Sequence, residues 1–399
     1  MRVVFTGGGT GGHVLPNIAI IDEISKLGGA EVFYIGSKKS SEQDIAEGAG
    51  LPFYEISTGK LRRYFDLKNF VDFLKVPLGF FQAVGILRKL KPNLVFSKGG
   101  YVAVPVVLAA RLLGIPVWIH EADLTPGLAT KICVPFAGKI WLSFEESRRF
   151  YKGRNVEVVG NPVRSSILKG DKKRGYKFTG FSEKMPVCLV IGGSTGAQSL
   201  NKLILKNLPE LLKKVQVLHI TGRIGEKFTE NAHYKHFEFL DKELADCYAI
   251  TDFIVGRAGS GSLFEGLALK KPMILVPLPR SASRGDQIEN AEIFEKHGWA
   301  AVLNQETLSP EQLLEAILKF ADDKKLCDHM SANQKKSPYA KAAKKIAEAI
   351  LSCSLSYKGG GPFNNLYRFI SGSVRWGGET KVSMAMSHSE CEHLSSSAL

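Results

Sequence analysis

Two clusters of side chains in this chain are suited to proton transfer, and two more to holding a sugar. His13 closes the run Thr6-Gly7-Gly8-Gly9-Thr10-Gly11-Gly12, and His120-Glu121-Ala122-Asp123 brings an imidazole and two carboxylates together. An unperturbed histidine titrates at about 6.5 and takes a proton at neutral pH. His13 is therefore the candidate general base, with Glu121 as second choice; the plainer readings are an anion contact for His13 and loop-fixing hydrogen bonds for His120 and Glu121. Further along, Glu265 follows Gly259-Ser260-Gly261-Ser262-Leu263-Phe264. Its carboxylate could accept from both hydroxyls of a ribose, but Ser262-Leu263-Phe264-Glu265 also fits a capping box. Gln287 and Asn290, spaced i and i+3, share a helix face and could read sugar hydroxyls, although Asp286-Gln287-Ile288-Glu289 again fits a cap.

Glycine runs at strand ends supply the anion site such groups would need. Gly7, Gly9 and Gly12 satisfy G-x-G-x-x-G between the apolar Arg2-Val3-Val4-Phe5 and the helical pattern of Val14 to Leu27. A strand, a glycine turn and a helix start put free N–H groups and a positive dipole end at one spot. The dinucleotide version of this fingerprint also wants a carboxylate after the second strand. Here Val32 to Ile35 runs into Gly36-Ser37-Lys38-Lys39, which argues against a nicotinamide enzyme. The pattern recurs as Gly192-Gly193-Ser194-Thr195-Gly196-Ala197 after Val187 to Ile191, and Lys98-Gly99-Gly100-Tyr101 adds a third loop. No Asp-x-Asp pair occurs, so a departing diphosphate would be met by Arg164, by amides near Ser194 and by a helix end, with no metal and no cofactor. One preorganised donor of this kind is worth roughly 3 to 4 kcal/mol.

The elements that position these groups follow from periodicity. Apolar strand-like runs alternate with helical patterns in two series, Val3–Phe5, Val32–Ile35, Leu94–Ser97, Val117–His120, Lys139–Leu142 and Val156–Val159, then Val187–Ile191, Val215–Ile220, Phe253–Val255, Met273–Val276 and Ala301–Leu303. Such alternation predicts α/β architecture with parallel sheets covered on both faces. The linker is expected at Leu168–Met185, or just before it at Gly160-Asn161-Pro162. Residues 352–399, rich in Ser and Gly, are expected to form a poorly ordered tail.

Composition narrows the class further. The 399 residues, 44% hydrophobic and 23% charged, suit a folded protein of about two domains. A net charge of +14 favours anionic partners. The six cysteines show no metal-ligand spacing and read as reduced thiols. Met1 runs straight into the glycine loop, which leaves no room for a signal peptide, and the apolar window Tyr101–Ile119 is broken by Pro105, Gly114 and Pro116. Between Thr58 and Pro92, bases including Lys60, Arg62, Arg63, Lys68 and Lys75 interleave with Phe65, Phe70, Phe73, Leu74, Phe80 and Phe81. That mixture suits an interfacial helix on an anionic leaflet, the alternative being core phenylalanines beneath a solvated basic face.

Together these motifs resemble the MurG family of N-acetylglucosaminyltransferases from residue 2 to about 351. The likeness rests on Gly8 through Pro16, Gly59-Lys60-Leu61-Arg62-Arg63, Ser97 through Tyr101, His120-Glu121, Gly160-Asn161-Pro162-Val163-Arg164, Gly192 through Ala197, Arg257-Ala258-Gly259 with Glu265, and Gln287 with Asn290. It implies a GT-B fold, two Rossmann-like parallel-sheet domains facing across a cleft: residues 1–162 for the acceptor and membrane, 163–338 for UDP-GlcNAc, and a helix at 339–351 returning to the first domain. It implies inverting transfer of N-acetylglucosamine from UDP to the C4 hydroxyl of the muramoyl sugar of lipid I, giving lipid II, by a peripheral protein at the cytoplasmic face of a bacterial inner membrane. By position it implies a donor site of Thr10, Gly11, Gly12, Asp123, Arg164, Ser194, the backbone at Leu240, Gly259, Ser260, Gly261, Ser262, Leu263, Phe264, Glu265, Gln287 and Asn290. Asp123 stands where the family more often has Asn, and a carboxylate there would repel a diphosphate unless paired. Nucleic acid is not among the expected partners, and the oligomeric state is left open. Two other readings compete: a different UDP-sugar transferase or an epimerase of the same fold, and a non-catalytic module for anionic surfaces.

Overall fold

The computed structural model describes residues 1–9, 11–59, 68–192, 197–222, 229–339 and 341–353, with backbone only at 41 and 68–74. Thr10, Lys60, Arg62, Arg63, Phe65, Ser194 and the tail from 354 lie outside the described residues.

The first lobe runs β1 (Arg2–Thr6), α1 (Gly11–Leu27), β2 (Glu31–Ser37), α2 (Ser41–Gly48), β3 (Phe53–Ile56), α3 (Lys68–Leu90), β4 (Leu94–Ser97), α4 (Ala103–Leu112), β5 (Val117–Glu121), α5 (Leu128–Cys133), β6 (Lys139–Leu142) and β7 (Val156–Val158). Its strands pair in parallel in the order β3-β2-β1-β4-β5-β6-β7. Both faces of β1 and β4 are covered, which is why these strands read as unbroken apolar runs. The order reverses between β1 and β4. Such a switch opens a crevice at the strands' carboxyl ends, where the glycine loop and Lys98-Gly99-Gly100-Tyr101 sit side by side. Their backbones approach so closely that a Cβ on Gly100 would overlap the carbonyl of Gly8.

The second lobe repeats the plan with α6 (Lys172–Thr179), β8 (Val187–Ile191), α7 (Gln198–Leu211), β9 (Gln216–Ile220), β10 (Tyr234–Phe237), α8 (Leu244–Ile250), β11 (Phe253–Gly256), α9 (Ser260–Leu269), β12 (Met273–Leu275), α10 (Asp286–Lys296), β13 (Ala301–Val302), α11 (Pro310–Asp322) and α12 (Lys324–Lys335). The parallel order is β10-β9-β8-β11-β12-β13, with the reversal between β8 and β11. A final helix, α13 (Ala342–Cys353), lays Ala343, Ile346, Ala347 and Ile350 against Val14, Ile18 and Ile21 of α1, inside the core of the first lobe. Each fully buried isoleucine contributes about 1.5 to 3 kcal/mol to that attachment.

Three features depart from the sequence reading. β3 and β10 were not expected; both are edge strands, half-exposed and carrying Glu55, Lys235 and His236, so they present no apolar run. The segment Leu168–Met185 is not a linker, because α6 occupies it. Asp171 caps that helix by accepting from the Arg174 amide at 2.8 Å, and Arg174 pairs with Asp246 of α8 at 2.7 Å, fixing α6 to the second lobe. The chain leaves the first sheet after Val158 and turns at Gly160, in the other stretch the sequence offered, where a φ of +88° and tight approach to Tyr339 both require glycine.

Candidate active site

The site is built on the carboxyl ends of β1, β4 and β5 in one lobe and of β11 and β12 in the other. The glycine loop is pinned from below. Tyr34 donates its hydroxyl to the Gly7 carbonyl at 2.5 Å, and Asn17 donates to the Thr6 carbonyl at 3.3 Å. The buried Glu42 carboxylate accepts from the amides of Gly9 and Ser37, each at 3.3 Å. Above the loop, α1 starts at Gly11 with no acidic residue in its first turn. α9 likewise has no acid in its first turn, and its N-cap, Gly259, lends no side chain. The two helices pack against each other across the lobes. Free N–H groups at helix starts attract anions.

His13 lies in the first turn of α1, and its Nδ1 is buried with no hydrogen-bond partner among the described residues. Burial lowers its pKa to about 4, and the Lys98 and Arg284 charges push the same way. The Lys98 backbone and the Glu42 carboxylate oppose the shift without overcoming it. The imidazole is therefore neutral at physiological pH, with a free lone pair to accept a proton.

Lys98 is almost wholly buried and donates to Nδ1 of His120 at 2.8 Å. An Nδ1 that accepts from an ammonium leaves the ring proton on Nε2, which donates to the Gly160 carbonyl at 2.9 Å. His120 is thus a neutral strut between the Lys98 loop and the turn joining the lobes. Glu121, also buried, accepts from the amides of Ala122 at 2.9 Å and Asp123 at 3.2 Å through Oε1. Oε2 has no partner among the described residues. Burial raises the Glu121 pKa, and Asp123 adds to the rise.

Glu265 does not cap its helix. α9 begins at Ser260, so Ser262 is its third residue, and the Ser262 hydroxyl donates to the Gly259 carbonyl at 3.1 Å. The Glu265 carboxylate instead accepts from the Tyr248 hydroxyl at 3.1 Å and lies 3.9 Å from the Arg164 guanidinium. Burial raises its pKa, while Arg164 and Tyr248 pull it down. Arg164 also faces Asp241 at 3.4 Å, one residue beyond Leu240. Leu240, Leu263 and Phe264 turn their side chains into the core, so only their backbones are open to a ligand. Asp286 is no cap either, since the N-cap of α10 is Gly285; Asp286 pairs with Arg284 at 3.6 Å. Gln287 accepts from the Leu278 amide at 3.1 Å.

Asn290 differs from expectation. It is fully buried, accepts from the Leu124 amide at 2.9 Å, and donates to Asp123 at 3.1 Å and to the Ala258 carbonyl at 3.4 Å. Its amide is spent on the seam between the lobes rather than presented to a sugar. Next to it Thr125 donates to Glu289 at 2.5 Å. Asp123 is compensated by Asn290 and, at 3.4 Å, by Arg284.

Reading the sequence missed Glu42, Tyr248 and Arg284, and treated Lys98 as part of a glycine loop. None carries a clear local signal, because the contacts that bring them to the site, Glu42 to Gly9, Tyr248 to Glu265, Arg284 to Asp123 and Lys98 to His120, each span at least 17 positions. Of the expected membrane residues, Lys68, Phe70, Phe73 and Leu74 fall on α3, where only the backbone is described. Ala83, Val84, Leu87 and Leu90 bury one face of α3, while Leu78 and Phe81 are 52% and 69% exposed, with Phe80 half-buried and Lys75 on the surface. No helix among the described residues is long and apolar enough to cross a membrane.

Residues 3–142 match the glycosyltransferase family 28 N-terminal domain and residues 187–346 the family 28 C-terminal domain. The chain is 48% identical over 318 residues to UDP-N-acetylglucosamine--N-acetylmuramyl-(pentapeptide) pyrophosphoryl-undecaprenol N-acetylglucosamine transferase 2 of Bacillus cereus (strain ATCC 10987 / NRS 248), covering 79% of this chain and 90% of that protein. It is 43% identical over 351 residues to the corresponding transferase of Clostridium botulinum (strain Kyoto / Type A2), covering 88% and 98%. Among solved structures, Acinetobacter baumannii MurG superposes with a TM-score of 0.66 at 24% identity, over 88% of this chain and 99% of that one. The UDP-GlcNAc 2-epimerase of Neisseria meningitidis bound to UDP-GlcNAc gives 0.62 at 15% identity, over 90% and 100%, a likeness of fold.

Proposed function

The chain belongs to the MurG family within glycosyltransferase family 28, and from that premise we infer that it transfers N-acetylglucosamine from UDP-N-acetylglucosamine to lipid I in peptidoglycan synthesis. The observation that carries the reading is identity near one half with transferases so named, over nine-tenths of their length. The lobe geometry agrees with it: α1 and α9, one from each lobe and neither with an acid in its first turn, pack against each other across the seam.

In this reading the ribose sits against Glu265, with Tyr248 and Arg164 holding the carboxylate in place. The uracil lies on the backbone near Leu240, and Gln287 faces the donor sugar. Gly11 and Gly12 on α1, with Gly259 through Ser262 at the start of α9, offer amides to the diphosphate, and Thr10 and Ser194 are assigned to the same site from the family resemblance. The acceptor hydroxyl gives its proton to Nδ1 of His13 as its oxygen attacks C1 of the sugar from the face opposite UDP. The C1–O bond breaks with its electron pair passing to the β-phosphate, and the configuration inverts. Glu121, its Oε1 fixed to the loop amides, positions this edge rather than taking the proton. The exposed Leu78 and Phe81 of α3, with its basic residues, seat the first lobe on an anionic membrane at the cytoplasmic face, where a lipid-linked acceptor is presented.

The test is incubation of the purified chain with UDP-N-acetylglucosamine and a lipid I analogue. A disaccharide-bearing product and stoichiometric UDP are expected. Conversion of the donor to its 2-epimer, or no turnover, overturns the reading.

A further inference from the structure

Arg284 belongs to the second lobe, in the loop between β12 and α10, yet its guanidinium contacts the first. One terminal nitrogen lies 3.4 Å from the Asp123 carboxylate. The other rests against bare backbone at Gly127, so close that a Cβ there would come within 2.8 Å of it. Asp286, the first residue of α10, faces the Nε edge at 3.6 Å. Asp123 and Gly127 follow β5 at the carboxyl edge of the first sheet, the edge that carries the glycine loop after β1, so the guanidinium stands on the site side of the seam. Arg164 faces Asp241 and Glu265 on the second lobe alone.

We propose that Arg284 binds the diphosphate of the nucleotide-sugar donor across the seam, and that Asp123 is its resting partner when the donor is absent. The proposal rests on the transferase reading above. The Arg284 side chain is 36% exposed and its pair with Asp123 is long, the kind of ion pair that contributes little and is easily exchanged. A diphosphate offers several anionic oxygens to the planar guanidinium and outcompetes a single carboxylate. Asp123, held by Asn290 at 3.1 Å, stays where it is when Arg284 leaves. This arrangement gives the carboxylate at position 123 a purpose: it keeps the guanidinium at the mouth of the site and does not itself touch the donor. As the bond from C1 to the β-phosphate oxygen breaks, the electron pair settles on an oxygen already facing Arg284.

The experiment is calorimetric binding of UDP and of uridine to the full chain and to its Arg284→Met, Arg284→Lys and Asp123→Asn variants, with melting temperature as the fold control. Arg284→Met should weaken UDP about tenfold or more and leave uridine within about twofold, since a charge-assisted hydrogen bond is lost only where phosphates are present. Arg284→Lys should recover part of the UDP affinity. Asp123→Asn, by freeing the guanidinium, should tighten UDP. Equal UDP affinity in the wild type and Arg284→Met overturns the proposal and leaves the transferase reading intact, as does an equal loss for uridine. A weaker UDP affinity in Asp123→Asn removes the resting-partner role. Failure of the wild type to bind UDP would instead sink the transferase reading.

Discussion

Lys98 and His120, at the ends of neighbouring strands, are joined by a 2.8 Å hydrogen bond from the buried ammonium to Nδ1 of the ring. Through Nε2 the same ring reaches the Gly160 carbonyl, so the loop beside His13 and the turn between the lobes are one connected unit. Lys98→Met leaves the buried His120 acceptor unmatched. Leaving a buried hydrogen-bonding group without its partner costs about 1 to 3 kcal/mol. Urea unfolding should show a loss of that size, and a change below about 0.5 kcal/mol, the range of an ordinary surface substitution, would refute the strut.

His13 titrates at about 4 in the donor-free protein, held down by burial and by Lys98 and Arg284. A bound diphosphate offsets those two cations and raises the pKa toward neutrality. The acid limb of kcat/KM, which reports the free enzyme, should therefore lie near pH 4, and that of kcat at higher pH. His13→Ala should lower kcat by about 100-fold or more. A fall of only a few-fold would assign His13 to binding alone.

Glu265 faces Tyr248 and Arg164 instead of capping α9, so its removal should spare the fold. Glu265→Ala is expected to weaken UDP about tenfold or more, because a carboxylate accepting from two hydroxyls makes charge-assisted bonds. Melting temperature should stay within a few degrees of wild type. Unaltered UDP binding would remove the ribose clamp from the account.

His120 and His219 are buried and neutral, with pKa values depressed by burial, His219 to about 3. Below the unfolded value of about 6.5 the unfolded chain binds protons that the native rings refuse. Their contribution to stability is complete above that pH and is lost as pH falls, at about 1.4 kcal/mol per pH unit for each ring. The His219→Gln variant should show a shallower decline of stability with acid from about pH 6.5 down to about 3. An identical slope in wild type and variant would mean that His219 protonates without penalty.

Phe81 is 69% exposed on the outer side of α3. Phe81→Ser should reduce flotation with vesicles rich in anionic lipid at low salt, while UDP affinity in solution is unchanged. Equal flotation of the two proteins would place the membrane contact elsewhere.

Much of this architecture was legible in the chain. Strands covered on both faces must be apolar throughout, so β1, β4, β5, β8 and β11 announce themselves, and the glycine runs mark where such strands end. The edge strands β3 and β10 were silent because only one of their faces is covered. α6 was hidden because a short, highly charged helix held by a cap and the Arg174–Asp246 pair has too little apolar face to show a period.

The residues alone determined two glycine-bearing α/β halves, the likeness to MurG and the candidates His13 and Glu265, since backbone geometry and burial impose their patterns on nearby positions. Tertiary structure decided what each candidate faces. Glu265 could be a cap or a clamp, Asn290 a sugar reader or a seam, and Asp123 a liability or a partner, until side chains from distant strands met. Their partners Tyr248, Leu124 and Arg284 stand 17, 166 and 161 positions away, and a hydrogen bond or ion pair closed over such a distance leaves no period in the sequence.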